Sequence, residues 1–168
     1  MPNQRIEEKP LFENCRIIFK NFEGKQSQYN REGDRNFCVI IEDLATAKRL
    51  ADDGWNIKYL APLEEGDQET AYLPVAVSFN NVPPTIVMLS SKGRTHLDET
   101  NVGILDHAEI ENVDLIVNPY NWSVNGKSGV KAYAKTMYVT IHEDALTRKY
   151  SVLDTRDPVD VPDDDLPF

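Results

Sequence analysis

No stretch of this chain approaches the roughly 20 consecutive apolar residues that a membrane-spanning helix needs. Residues 1 to 10 are polar where a secretory leader would carry its apolar run. A cytoplasmic protein without membrane attachment is therefore expected. Cysteine is scarce: Cys15 and Cys38 sit in separate apolar segments, Cys-Arg-Ile-Ile-Phe and Phe-Cys-Val-Ile-Ile, and form no Cys-x-x-Cys pair. That excludes a disulfide framework and fits buried free thiols in a reducing compartment. His96, His107 and His142 are scattered, none at zinc-ligand spacing from another ligand. Phosphate-cradling Gly-rich loops and a Gly-x-Ser-x-Gly nucleophile turn are absent. A magnesium-dependent nuclease would have to be assembled from Asp98, Glu99, Asp106 and Glu109, whose spacing suits a solvated helix face equally well. No enzyme activity, metal or cofactor is expected.

What is present is one domain's worth of ordinary globular sequence: 168 residues, 40% hydrophobic and 27% charged. The net charge of −10 is uneven, because residues 154 to 168 hold six Asp against one Arg, half of the total in a short tail. An acidic body argues against non-specific adhesion to duplex DNA or anionic lipid, while leaving room for a locally basic groove.

Alternation of apolar and polar residues dominates the rest. Strands are expected at Arg16–Phe22, Asn36–Glu42 (apolar on both faces), Trp55–Leu60, Tyr72–Phe79, Thr85–Leu89, Val113–Val117 and Val130–Ile141. Asp43 caps a helix reaching Asp53, with Leu44, Ala47, Leu50 and Ala51 at helical spacing and Gly54 as its stop. Leu97–Ala108 and Glu143–Leu153 are candidate short helices. Glu23–Arg35 and Asn118–Gly129 read as loops. The expected fold is mainly β, an OB-fold-like curved β-barrel with one to three short helices in residues 1–153, followed by a disordered acidic tail, 154–168.

That tail ends Asp163-Asp164-Asp165-Leu166-Pro167-Phe168. Phe168 suits an apolar pocket on a partner whose basic rim takes the carboxylates. The segment resembles the acidic tip of bacterial single-stranded DNA-binding proteins, Asp-Asp-Asp-Ile-Pro-Phe, differing by Leu for Ile. Asp154–Pro162 is brief where that family has a long Gly/Gln/Pro-rich linker, and residues 1–150 do not share its core sequence. The body is instead similar to phage-encoded single-stranded DNA-binding proteins, in Arg35-Asn-Phe-Cys-Val-Ile-Ile-Glu-Asp, Asp53-Gly-Trp-Asn-Ile-Lys-Tyr-Leu and Val130-Lys-Ala-Tyr-Ala-Lys-Thr-Met-Tyr-Val. The resemblance implies an OB-type barrel that coats single strands during phage replication, recombination or repair in the host cytoplasm. It also implies a tip that recruits replication or recombination proteins, and it leaves monomer and homo-oligomer open.

A sequence-tolerant single-strand binder stacks bases on aromatics and meets phosphates with Lys or Arg. Period-2 geometry puts Lys131, Tyr133 and Lys135 on one strand face, while the core-like Met137, Val139 and Ile141 imply a bulge near Thr136. Tyr120 and Trp122, with Lys127, lie just before that row. Lys25, Tyr29, Arg31 and Arg35 make the first long loop basic and flexible, and Arg16, Lys20 and Phe22 extend the path. Trp55 and Tyr59 are assigned to core packing, since Ile57 lies between them. The acidic tail, as a phosphate mimic, is expected to compete for the groove. The alternative is an acidic interaction or DNA-mimic module that never touches nucleic acid, a reading with no use for Lys131, Tyr133, Lys135 and Trp122 together.

Overall fold

Short apolar alternations give short strands, and the ladders among them define a curled sheet. The computed structural model describes residues 5–28, 30–80 and 82–143. Tyr29, most of the Glu143–Leu153 segment and the acidic tail fall outside them. Nine strands lie within the described residues: β1 (Leu11–Cys15), β2 (Ile17–Asn21), β3 (Arg35–Ile41), β4 (Lys58–Leu60), β5 (Thr70–Val77), β6 (Thr85–Ser90), β7 (Gly93–Leu97), β8 (Ile110–Val124) and β9 (Lys127–Ile141). One helix, α1 (Leu44–Asp52), and a 3-10 turn at Val102–Asp106 complete the set.

Hydrogen bonding runs β1–β8–β9–β5–β3–β2. The two ends of that path meet, because β1 and β2 are separated only by Arg16, whose carbonyl accepts from the Ile40 N–H at 3.0 Å. β5 and β9 pair in parallel, at Val75↔Ala132 and Ala76↔Tyr133; the other steps of the path are antiparallel. This circuit is the five-stranded Greek-key order of an OB fold, with β1 and β2 acting as one bent first strand. The expected class is borne out. β4 adds to the lower part of β5, and the β6–β7 hairpin adds to the upper half of β9.

The core fills the inside of this curl. Phe37, Val39 and Ile41 of β3, Leu73, Val75 and Val77 of β5, Val113, Leu115 and Val117 of β8, and Val130, Ala132, Met137 and Val139 of β9 are all buried. α1 starts as expected: Asp43 accepts from the Ala45 N–H at 3.2 Å and the Thr46 hydroxyl at 2.7 Å. It seals one side with Ala47 and Leu50, while Ala51 faces solvent. Gly54 ends the turn at φ +106, and its carbonyl accepts from the Val130 N–H at 2.9 Å, tying this connection to the start of β9.

Several expected elements need correction. β1 (Leu11–Cys15) lies ahead of Arg16, where no strand is expected. Leu97 closes β7, so the helix expected from Leu97 shrinks to the 3-10 turn. Phe79 lies beyond the end of β5, and of the expected Trp55–Leu60 segment only Lys58–Leu60 forms a strand, while Trp55 makes an isolated parallel bridge to Val130. Trp55 is 3% exposed, as core packing required, but Tyr59 is 45% exposed. On β3 the outward Asn36 and Cys38 are half-buried, so that strand is not closed on both faces. The largest change concerns Asn118–Gly129. It is no loop but the outer arm of β8 and β9, closed by a tight turn at Asn125 (φ +50) and Gly126 (φ +80). Two positive φ values in an Asn-Gly pair are the demand of a type I′ hairpin.

Candidate nucleic-acid interface

The outer face of the barrel is set by register. Residues directly opposite one another in neighbouring strands share a face, so Tyr133 of β9, Ala76 of β5 and Asn36 of β3 form one outward row. Pro74 and Cys38 form the next row, with Ile18 of β2 beyond them. Asn36, Pro74 and Ala76, all with short side chains, make the floor of a cleft of about 1030 Å³. One wall is the β8–β9 arm with Trp122, Gly129, Lys131 and Tyr133; the other is the end of the first loop with Arg31 and Arg35.

The arm carries its aromatics outward. Cross-strand pairing sets Asn118 beside Tyr133, Tyr120 beside Lys131 and Trp122 beside Gly129. Tyr120 and Tyr133 meet edge to face at 6.0 Å and 88°, and the Lys131 ammonium lies 5.1 Å from the Tyr133 ring centre. Tyr120 is 55% and Trp122 38% exposed. The Trp122 indole lies flat on Gly129: a Cβ there would come within 2.9 Å of Cζ2. Glycine is what lets the ring settle against the strand. The bulge expected near Thr136 is present: Thr136 pairs with Ile116 and Ala134 with Val117, leaving Lys135 as the extra, exposed residue. Lys127, Lys131 and Lys135 have no carboxylate partner among the described residues.

The opposite wall is more constrained. The loop expected to be a flexible finger is pinned by Asn30, whose side-chain amide lies within 3.0 Å of the Lys25, Arg31 and Asp34 carbonyls. Asn30 Oδ1 also accepts from Asn36 on the cleft floor at 2.8 Å. Arg31 reaches the cleft beside Asp34, 3.3 Å away. Arg35 is held over the Phe79 ring at 5.5 Å and beside Glu99 at 3.9 Å. Its Nε is buried without a hydrogen-bond partner among the described residues. Nothing in composition singled out Asn30, Asn36 or Gly129, whose parts depend on neighbours distant in sequence. The Asn125-Gly126 pair was the one local signal that would have shown the arm.

Of the expected members, Arg31, Arg35, Trp122, Lys131 and Tyr133 line the cleft, Tyr120, Lys127 and Lys135 stand on β8 and β9 outside its lining, and four lie elsewhere. β2 advances three residues from Ile18 to Asn21 while β3 advances two from Cys38 to Asn36, so one residue is extra. The alternation inverts there, and Phe22, expected outward, is fully buried and stacked on Phe37 at 5.3 Å. Lys20 donates to the Leu105 and Ala108 carbonyls at 3.0 and 2.9 Å. Lys25 pairs with Glu23 at 3.0 Å, and Arg16 pairs with Glu42 at 3.4 Å. Lys25 and then His107 hold the Glu23 carboxyl below its ordinary range through hydrogen bonds. Tyr29 lies outside the described residues.

Two of the four carboxylates considered for metal chemistry, Asp106 and Asp98, serve the nearby backbone, and Glu99 stands beside Arg35. Asp106 accepts from the Phe22 and Glu23 N–H groups at 2.7 and 2.9 Å, and Asp98 from the Thr100 N–H and hydroxyl. Among the described residues no group of three or more His, Cys, Asp or Glu is placed to hold a metal ion, and no helix is long and apolar enough to cross a membrane.

Comparison with known proteins agrees with this architecture. The single-stranded DNA-binding protein from bacteriophage Enc34, in a C-terminally truncated form, superposes with a TM-score of 0.52 at 9% identity, covering 80% of this chain and 86% of that one. At that identity the likeness concerns the fold. The same phage protein in complex with ssDNA gives a TM-score of 0.48 at 9% identity, over 86% of this chain and 96% of that one. No curated protein matches by sequence. A family model described as "Putative phage ssDNA-binding domain" matches residues 2–166, nearly the whole length, and the chain belongs to that phage ssDNA-binding domain family.

Proposed function

We propose that this protein binds and coats single-stranded DNA, largely without sequence preference, by laying the strand along the cleft between the β8–β9 arm and the first loop. One observation carries the reading: Tyr120, Trp122 and Tyr133 are held outward on a two-stranded arm, beside a Lys131 that no carboxylate neutralises among the described residues. Aromatic faces need the faces of bases, which a duplex hides in its stack and a single strand offers freely. Each base–aromatic stack is worth about 1–3 kcal/mol. Two or three stacks with phosphate contacts to Lys131, Arg31, Arg35, Lys127 and Lys135 support useful affinity on a chain whose net charge is −10.

The process served is phage DNA replication, recombination or repair in the host cytoplasm. Asp163–Phe168 would recruit replication or recombination proteins, by the resemblance of that tip to the bacterial one. The tail also competes with DNA for the cleft, since it carries half of the net negative charge.

The test is a fluorescence-anisotropy titration of labelled oligo-dT of about 30 nucleotides at two salt concentrations, beside a duplex of equal length. Tight oligo-dT binding, weak duplex binding and Trp quenching that disappears in Trp122→Phe are expected. Absence of oligo-dT binding at low salt, with or without residues 163–168, overturns the proposal. Deleting those six residues should raise low-salt affinity; unchanged affinity sinks the competition by the tail.

A further inference from the structure

Phe19 is out of place for a core residue. It lies in β2 at φ +54, in the left-handed region that aromatic residues rarely adopt. It lies in the interval, Ile18 to Asn21, over which the β2–β3 register slips. Its ring is 59% exposed and meets Tyr72 edge to face, 5.8 Å between centres at 74°. Tyr72 faces outward on β5, and Lys58 of β4 stands directly opposite it on the same face. Lys58 has no carboxylate partner among the described residues. The trio repeats the chemistry of the arm: an edge-to-face aromatic pair with an unpaired ammonium opposite one ring, here Phe19–Tyr72–Lys58, there Tyr133–Tyr120–Lys131.

The two trios share one surface. Tyr72, Pro74 and Ala76 are alternate residues on the outer face of β5, and Tyr133 stands opposite Ala76. Pro74 and Ala76 are cleft floor. The four-residue step from Ala76 to Tyr72 spans roughly 13 Å of strand, across small side chains that leave the route open.

We propose that Phe19, Tyr72 and Lys58 form a second stacking platform, which takes the single strand as it leaves the cleft and lengthens the footprint. The inference rests on the cleft reading and adds an exit to it. The bulge that strains Phe19 is what turns its ring outward, while the same inversion sends Phe22 into the core.

The test uses the full chain and two oligo-dT lengths, about 6 and about 30 nucleotides. Phe19→Gly removes the ring while suiting the positive φ, and Lys58→Gln removes the charge. Thermal melts confirm that both variants fold. Phe19→Gly should lose about fivefold or more in affinity for the long oligomer, the low end of one stack, and keep its affinity for the short one. Lys58→Gln should lower the slope of log affinity against log salt by about 0.7 for the long oligomer alone. Unchanged affinity at both lengths overturns the platform alone and hands the patch to a protein partner. Equal loss at both lengths overturns the exit path and places Phe19 in the primary site. A wild-type chain that binds neither length sinks the cleft reading itself.

Discussion

The β8–β9 arm and the segment around β2 carry the same residue classes, Lys beside aromatics, and spend them differently. On the arm, Lys131 leans on Tyr133 and meets no carboxylate among the described residues, and Trp122 rests on a glycine with one face to solvent. Around β2, Lys20 is consumed by two backbone carbonyls, Lys25 by Glu23, and Phe22 by the core. Asp106 completes that knot by accepting from the Phe22 and Glu23 N–H groups. Among the described residues, no neighbouring element supplies an acceptor to the lysines on the outer face of the arm. The β2 segment lies against the 3-10 turn, whose terminal carbonyls require donors. A basic-aromatic pattern is thus a binding surface only where the fold leaves its donors unsatisfied.

Substitutions that separate stability from affinity would break or sharpen this contrast. Phe22→Ala should show the largest effect, losing about 3–5 kcal/mol of unfolding free energy in urea with oligo-dT affinity of the folded protein unchanged. Its counterpart, Trp122→Ala, should leave the urea midpoint nearly in place and lose about 1–3 kcal/mol of binding. Next come the two lysines. Lys20→Met should lose about 1.5–3 kcal/mol of stability with the salt dependence of binding intact. Lys131→Met should hold its stability and lower the salt slope by about 0.7. A Lys20→Met variant with a reduced salt slope would erase the distinction between the two regions.

Gly129→Ala probes the seat of the indole. With a Cβ 2.9 Å from Cζ2 the ring must lift, for a loss on the order of 1 kcal/mol in binding and a shift in Trp emission. The smallest effect concerns alkaline pH. Burial raises the Cys15 and Cys38 thiols to about 11, with Asp114 helping at Cys15. A raised acid pKa means the folded state keeps a proton that the unfolded state gives up. Stability from this source is intact below about pH 9 and falls as pH climbs toward 11. Replacing both cysteines by Ala should flatten that alkaline limb, which urea midpoints at pH 8, 9.5 and 10.5 would show.

Much of the fold is written locally. Alternation marks β5 and β9 because each has one face to bury, and Asp43 with Gly54 brackets α1 because a helix needs a donor-side cap and a left-handed stop. The Lys131–Tyr133–Lys135 row and the nearby bulge are readable because the apolar parity of β9 changes after Ala134. The polar composition of the arm outweighs the Asn125-Gly126 pair in a local reading, although a hairpin whose tip is exposed on both faces, at Ser123, Val124, Lys127 and Ser128, has no need of apolar alternation. Tyr59 is exposed where core packing is expected, since a three-residue edge strand leaves little to bury its ring.

The sequence by itself determined the class of fold, the end points of the helix and the parity of the long strands, because these follow from contacts a few residues apart. Tertiary structure alone decided which cations stay free and which aromatics face out. Lys20 finds its acceptor 85 positions away, and Phe22 its carboxylate 84 positions away. One extra residue between Ile18 and Asn21 inverts a face that period-2 reading assigns otherwise. Exposure and hydrogen-bond satisfaction belong to the packed molecule, so the surface left for a nucleic acid is whatever the fold has not already used.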